Sequence, residues 1–293
     1  MKRRQFLKST GAAGLAAAAA PFNFAFGAGP ENPISRVVVI GAGIVGASIA
    51  YNLSKRGCEV TLIDKNEPAT QASGNSFAWI NASYFDQPDS YFTLRTHSLN
   101  EYHRLAAELE FPIRWGGSLE WYHSAETQQE VADGIRRIQG KGAPAWMIDT
   151  DRVAEVEPNL QLNGDWQAAW CSRDGAVDPG ATTRALVDGA VANGCVLRTS
   201  AEARAIETSD SDARVRINDQ ELQADLIVVA AGASANSIGQ MINLGTDLVV
   251  PATPGIIVTT RPMEPILNTI CYTTDSHFHQ LPDGRLIIGE KAG

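Results

Sequence analysis

The chain has 293 residues, 44% of them hydrophobic and 19% charged, with 24 basic against 33 acidic side chains and a formal net charge of −9. That length is enough for one large or two modest domains with a buried core. The acidic balance argues against a nucleic-acid partner, and no basic amphipathic helix suggests docking on an anionic membrane surface.

The first 29 residues read as a segment apart from the fold. Lys2-Arg3-Arg4-Gln5-Phe6-Leu7-Lys8 is basic, Gly11 to Ala20 is short and alanine-rich, and small residues surround Gly27 and Ala28. This is the anatomy of a removable export signal. The pair Arg3-Arg4 with the residues after it is similar to a twin-arginine signal. That expectation places the mature protein in the periplasm, or otherwise exported; the alternative is a basic, unstructured N-terminus. The apolar run is too short and too rich in alanine for a membrane anchor, and no later stretch is long enough to span a bilayer. A twin-arginine route carries folded proteins, which suits a tightly held cofactor.

A short β-branched run, Arg36-Val37-Val38-Val39-Ile40, ends in Gly41-Ala42-Gly43-Ile44-Val45-Gly46, and a helical pattern runs from Ala47 to Arg56. Strand, tight turn and helix in that order make a dinucleotide cradle. Gly41 permits the turn, Gly43 lets the backbone approach a pyrophosphate, and Gly46 lets the helix pack on the strand. The first helical N–H groups and the helix dipole then face the phosphates. Gly57 to Asp64 supplies a second strand ending on an acid at the distance needed to meet a ribose hydroxyl. For Asp64 alone, a solvated strand-end carboxylate is the alternative.

Lys65 to Ser76 is polar, turn-rich and without apolar period, so its backbone donors need partners other than a ladder. Phe77 to Ile80 reads as extended and buried. Phe92, Leu99, Tyr102, Leu105, Ala106 and Leu109 recur at helical spacing, which predicts a helix over 91–109. Trp115 to Tyr122 reads as a turn and an aromatic strand, 126–141 as a second helix, and Val153 to Pro158 as a short helix stopped by proline. Strand and turn return over 165–179. Ala181 to Asn193 is a helix closed by Gly194. Strands follow at 196–198, 203–206 and 214–217, the last turning at Asn218-Asp219 into a strand around Leu222. Asp225 to Ala233 is a continuous apolar strand, a pattern that implies burial on both faces in a parallel sheet. Strands at 255–259, 269–273, 278–281 and 286–289 complete the chain, with Pro282-Asp283-Gly284 as a turn.

Cys58, Cys171, Cys195 and Cys271 are scattered without metal-ligand spacing and read as small buried thiols. His277 and His279 alternate with Phe278, so both face one side of a strand and either line a pocket or cap a half-exposed sheet. Tyr272 and Arg261 are weaker candidates to reach a substrate. Trp79 and Trp121 suit either a pocket wall or the core.

Val37–Gly46 with Asp64, the loop 72–76 and the strand 224–233 together resemble the FAD-dependent amino-acid oxidase and dehydrogenase superfamily, to which D-amino-acid dehydrogenase, glycine oxidase and sarcosine oxidase belong. Gly175 to Pro179 and Leu281 to Gly289 add to the match. The resemblance implies an α/β fold: a Rossmann-like FAD-binding parallel sheet with an inserted substrate domain of mixed and antiparallel sheet. On this reading 30–115 and 165–240 form the FAD-binding domain, and 116–164 with 241–293 the substrate domain.

By the same resemblance, Gly41, Gly43 and Gly46 cradle the FAD pyrophosphate, and Ile44 and Val45 supply backbone donors. Asp64 takes the adenosine ribose, with Lys65 beside it. Ser73, Asn75 and Ser76 contact the pyrophosphate and the flavin side, Ala203 offers backbone bonds to adenine, and Gly232 closes the strand beside the dinucleotide. The implied reaction removes hydride from the carbon bearing an amine of a small amine or amino acid, with oxygen or a membrane quinone as final acceptor. Family members continue past the position of Gly289, so the flavin-ring end of the site is expected to be incomplete in this sequence, and catalytic residues stay unassigned. Two other readings stay open: an NAD-dependent dehydrogenase, with which the glycine turn and Asp64 are equally compatible, and a catalytically incomplete remnant.

Overall fold

A β-branched core strand organises the chain. In a computed structural model that describes residues 35–83, 88–160, 167–209, 212–245, 247–249 and 255–290, β1 (Arg36–Ile40) is buried from Val37 onward and lies at the centre of a parallel sheet. The leader expected over 1–29 lies outside the described residues. After β1 come α1 (Ile44–Lys55), β2 (Glu59–Ile63), β3 (Trp79–Ile80), α2 (Asp89–Leu109), β4 (Ile113–Arg114), β5 (Ser118–Glu120), α3 (Ala125–Gln139), β6 (Ala145–Asp149) and α4 (Thr150–Val156). Then follow β7 (Gln167–Cys171), β8 (Gly175–Val177), α5 (Pro179–Ala192), β9 (Val196–Arg198), β10 (Ala203–Thr208), β11 (Ala213–Ile217), β12 (Gln220–Ala224) and β13 (Leu226–Val229). The last are α6 (Ala235–Met241), β14 (Ile256–Thr259), β15 (Ile270–Tyr272), β16 (Ser276–Gln280) and β17 (Leu286–Glu290).

The described strands form four sheets within one compact unit that begins at Ser35. The parallel sheet runs β13-β1-β2-β9, with α1 and α5 packed together on one face. Their close approach needs Gly189, where a Cβ would sit 3.1 Å from the Tyr51 ring. Val37, Val39, Tyr51, Leu62, Leu186 and Val187 fill this layer, and Val38, Ile40 and Ile63 pack the other face against β10-β11-β12. Asp225 pins β1 at its start. Its carboxylate accepts from the Ser35 and Arg36 N–H groups at 3.0 and 2.8 Å and from the Arg36 guanidinium at 2.9 Å, which holds its pKa well below the usual carboxylate range.

A seven-stranded sheet of order β14-β17-β16-β15-β5-β7-β6 and a small sheet of order β3-β8-β4 complete the fold. α3 and α4 pack on the seven-stranded sheet, and Leu119, Trp121, Val153, Ala168 and Cys271 form the core on one of its faces. β7 belongs to this sheet although it lies in the stretch expected for the FAD-binding domain. Among the described residues no helix is long and apolar enough to cross a membrane.

The elements read from periodicity are present with shifted ends, and three differences have physical reasons. β13 is parallel, as its apolar run suggests, but it is not buried on both faces. It pairs with β1 alone among the described strands, so Leu226 is exposed and the rest are half-buried. The strand also stops at Val229, because Gly232 takes φ +51° and starts a helical turn that leads into α6. Finally, β6 has no alternating signal of its own; it is held by five residue pairs with β7.

Candidate functional site

The cradle is built by steric exclusion. A Cβ on Gly46 would lie 1.8 Å from the Gly41 carbonyl oxygen, and one on Gly41, at φ +110°, would lie 2.4 Å from the Ala230 oxygen. These two glycines therefore set how closely α1 approaches β1 and β13. The third, Gly43, is half-open, and a Cβ there would meet Ser73 Oγ at 2.9 Å. The first turn of α1 has no side-chain cap and no acidic residue. The Val45 and Gly46 N–H groups have no acceptor within the helix, as first-turn donors never do. Val45 is 60% exposed, far more than an aliphatic residue inside a finished core. An uncapped helix start with open donors, flanked by glycine and a serine hydroxyl, fits a diphosphate.

Ser73 closes the cradle from the side, its Oγ accepting from the Ile44 N–H at 2.9 Å. Ile44 thus spends its donor within the protein, whereas the Val45 and Gly46 N–H groups have no acceptor among the described residues. Asp64, at the end of β2, turns inward: Oδ2 accepts from the Ala42 N–H at 2.7 Å and Oδ1 from the Asn66 N–H at 2.8 Å. Both oxygens keep lone pairs for a diol, since a carboxylate offers about four acceptor sites. Lys65 is exposed, with Nζ 3.5 Å from Ser234 Oγ. The Ala201 N–H bonds the Asp64 carbonyl at 2.8 Å, which brings the start of β10, and with it buried Ala203, to the same end of the sheet. Gly232 lies just past β13 on that rim. Asn75 and Ser76 are spent locally, Asn75 Nδ2 on the Gln71 carbonyl at 2.9 Å and Ser76 Oγ on the Ala78 N–H at 3.1 Å, which stabilises the loop itself.

Past the loop, the chain runs against the seven-stranded sheet. Phe77 lies between two histidines, its ring 4.3 Å from that of His277 and 4.6 Å from that of His279, both edge-on. His279 is 1% exposed and donates from Nε2 to the Phe77 carbonyl at 2.7 Å; burial pushes its pKa down, which favours the neutral ring. Trp79 packs on Tyr272 with ring centres 5.8 Å apart. Trp121, by contrast, is core, and Arg261 is exposed.

Sequence reading missed Asp174, the residue that joins these parts. It is 1% exposed and accepts from Trp79 Nε1 (3.1 Å), the Ala82 N–H (3.4 Å), Ser83 Oγ (2.8 Å) and Ser118 Oγ (2.7 Å). Burial raises its pKa to about 6 against the pull of these donors. One carboxylate thus ties the segment after the cradle loop to β5. A second buried carboxylate, Glu157, holds the entry to β15 by accepting from the Asn268 and Thr269 N–H groups at 2.7 and 2.9 Å. Cys171 and Cys271 are buried free thiols with pKa pushed above the usual range by burial.

Comparison with known proteins agrees with this geometry. The FAD dependent oxidoreductase family (DAO) matches residues 36–292, so the chain belongs to that family, and its cofactor is FAD. The chain is similar to glycerol 3-phosphate dehydrogenase of Caloramator mitchellensis, 28% identical over 73% of this chain and 45% of that protein. It is also similar to glycine oxidase of Geobacillus kaustophilus, 26% identical over 86% of this chain and 69% of that protein. Among solved structures, L-proline dehydrogenase from P. horikoshii superposes with a TM-score of 0.79 at 25% identity, covering 88% of this chain and 70% of that one. The chain therefore spans less than half the length of the first of these relatives.

Proposed function

We propose that this member of the FAD dependent oxidoreductase family oxidises a small amine or amino acid at the carbon bearing nitrogen. The observation that carries the reading is the continuity from cradle to sheet. The loop that closes on the Ile44 N–H through Ser73 continues directly into Phe77 and Trp79, which pack on the aromatic face of the seven-stranded sheet. The names of relatives that act on glycine and on L-proline support an amine over an alcohol, although glycerol 3-phosphate dehydrogenase is also among them.

When bound, FAD supplies the two-electron acceptor for hydride leaving the substrate carbon. The protein's part is to hold and orient. Gly41 and Gly46 bring the helix start close to the strand, Gly43 keeps the turn free of a side chain, the first-turn N–H groups of α1 would hold the diphosphate, and Asp64 would accept from ribose hydroxyls. Phe77, Trp79 and Tyr272 present an apolar surface that excludes water from the reacting carbon. His279 and the Asp174 network keep that surface in one arrangement. The resemblance of Arg3-Arg4 and the following residues to a twin-arginine signal supports export to the periplasm after the cofactor is loaded, with oxygen or a membrane quinone taking the electrons.

The test is direct. The purified chain is scanned for flavin absorbance, then mixed anaerobically with glycine, L- and D-proline, N-methylated amino acids and glycerol 3-phosphate. Bleaching of the flavin band by an amine is the expected result. Bleaching by glycerol 3-phosphate and by no amine would replace this reading with alcohol oxidation. A second run in air with an oxygen electrode, against one with a quinone analogue, identifies the acceptor.

A further inference from the structure

A cleft that shares no residue with the cradle opens between α2, the turn after α3, the end of β7 and the segment following β3. It holds about 390 Å³ of empty space and is open to solvent on one side. Exposure falls from its mouth inward. Lys141 and Arg173 are exposed at the rim, Phe92, Ala143 and Pro144 are half-buried on the walls, and Cys171 and Asp174 are buried at the floor.

Helix α2 places both cations. Phe92, Thr96 and Asn100 follow at i, i+4 and i+8, so they share one face of the helix. Lys141 Nζ sits over the Phe92 ring, 5.3 Å from its centre, and Arg173 Nη2 donates to Asn100 Oδ1 at 2.8 Å. Neither cation is used up. Lys141 also pairs with Asp89, but that carboxylate's side chain is 86% exposed, and so exposed a pair contributes little. A guanidinium carries five N–H donors and an ammonium three, and one of each is spent on these partners.

The walls and floor add little that competes. The Thr96 hydroxyl is spent on the Phe92 carbonyl at 3.0 Å. Burial pushes the Cys171 thiol well above its usual range, so it brings no charge. Asp174 is the one acid lining the cleft. Its Oδ2 takes Trp79 Nε1, Ser83 Oγ and Ser118 Oγ, whereas Oδ1 has only the Ala82 N–H at 3.4 Å. Charge therefore runs from two cations at the mouth, through an apolar middle, to an acid at the floor. An ammonium group would meet the two cations on entry, and a second carboxylate at the far end of a ligand would meet Asp174.

We infer that this cleft binds a small monocarboxylate, its charged end held by Lys141 and Arg173 and its apolar body against Phe92, Ala143 and Pro144. The bound molecule is distinct from the one oxidised. The site adjoins the joint between cradle loop and sheet, because Asp174 lines its floor and also holds Trp79.

Binding is read without turnover. The FAD-loaded full chain is mixed with sodium butyrate and followed by saturation-transfer NMR, with butyramide as the neutral isostere and sodium chloride holding ionic strength constant. Saturable binding of butyrate is expected, with butyramide about tenfold weaker or worse. Lys141→Met and Arg173→Met should each weaken butyrate about threefold, and together about tenfold, with flavin content and circular dichroism unchanged. Ala143→Leu keeps both cations but fills the wall, and should weaken binding likewise. Absence of saturable binding, equal binding of butyramide, or binding indifferent to both charge substitutions overturns the inference. The outcome is independent of the proposed reaction. Amine oxidation without a butyrate site would leave that reaction standing, and a butyrate site in a protein that oxidises no amine would leave the cleft standing.

Discussion

Replacing Asp174 by Asn tests whether burial governs the residue that joins cradle loop to sheet. The carboxylate is 1% exposed and its four donors converge from Trp79, Ala82, Ser83 and Ser118. Donors favour the ionised form and burial the neutral one; burial prevails, moving the pKa from 3.8 to about 6. The folded state therefore binds this proton more tightly than the unfolded chain. The linked stability is fully present below the unfolded value of 3.8 and is lost as pH rises through about 6. A shift of roughly two units is worth about 3 kcal/mol. Denaturant unfolding of native protein and variant is compared at intervals from about pH 4 to pH 7. The native-minus-variant stability should fall by about 2.4 kcal/mol across that window, because the variant carries no titrating group there. Other carboxylates contribute equally to both proteins and cancel. A difference flat to within about 1 kcal/mol would refute the claim that the ionised carboxylate bears a net burial penalty.

Three further changes test other parts of the fold and site. Gly46→Ala places a methyl 1.8 Å from the Gly41 carbonyl oxygen, so the purified variant should lose its flavin and at least ~2 kcal/mol of stability; full flavin content would refute the cradle geometry. Asp64→Asn keeps shape but gives up charge toward the ribose, so FAD affinity measured by flavin fluorescence should fall about tenfold or more, equivalent to ~1.4 kcal/mol; native affinity would remove Asp64 from the site. Asp225→Asn should behave opposite in sign to the Asp174 variant. The Arg36 N–H, the Arg36 guanidinium and the Ser35 donors hold the native pKa below the usual range, so its stabilisation is present above the unfolded carboxylate value and is lost as pH falls through the folded one. The native advantage in unfolding experiments should shrink on acidification, and an advantage that grows would contradict the assigned hydrogen bonds.

What the sequence reveals about this protein divides along the range of the interactions involved. The cradle is legible because its parts lie close together in the chain. Gly41 and Gly46 are each required by a backbone contact and Gly43 by the Ser73 hydroxyl, and Asp64 follows the very next strand. Helices such as α2 and α3 announce themselves by apolar period, and the turn at Pro282-Asp283-Gly284 by composition, with Gly284 at φ +89°. β13 shows the limit of such reading. Its apolar run implies a strand, but burial depends on which strands lie beside it, and only β1 pairs with it here.

The face of the seven-stranded sheet that meets Phe77 lies beyond that limit for the same reason. Alternation places His277 and His279 on one side of β16, and that much can be read from three adjacent residues. Whether the side faces solvent or a ligand depends on Phe77, which arrives from 202 positions upstream and accepts from His279 at 2.7 Å. Nothing near Asp174 in the sequence reveals that Trp79, Ser83 and Ser118 will spend their donors on it. Glu120 and Tyr272 become neighbours only because β5 and β15 pair in parallel, a register that no local pattern encodes. A dinucleotide cradle therefore follows from local spacing, whereas the make-up of the sheet face beside it follows from register. The cradle fixes what sits at one end of the site. The pairing of β5, β15, β16 and β17 decides which side chains line the face on which Phe77 and Trp79 pack.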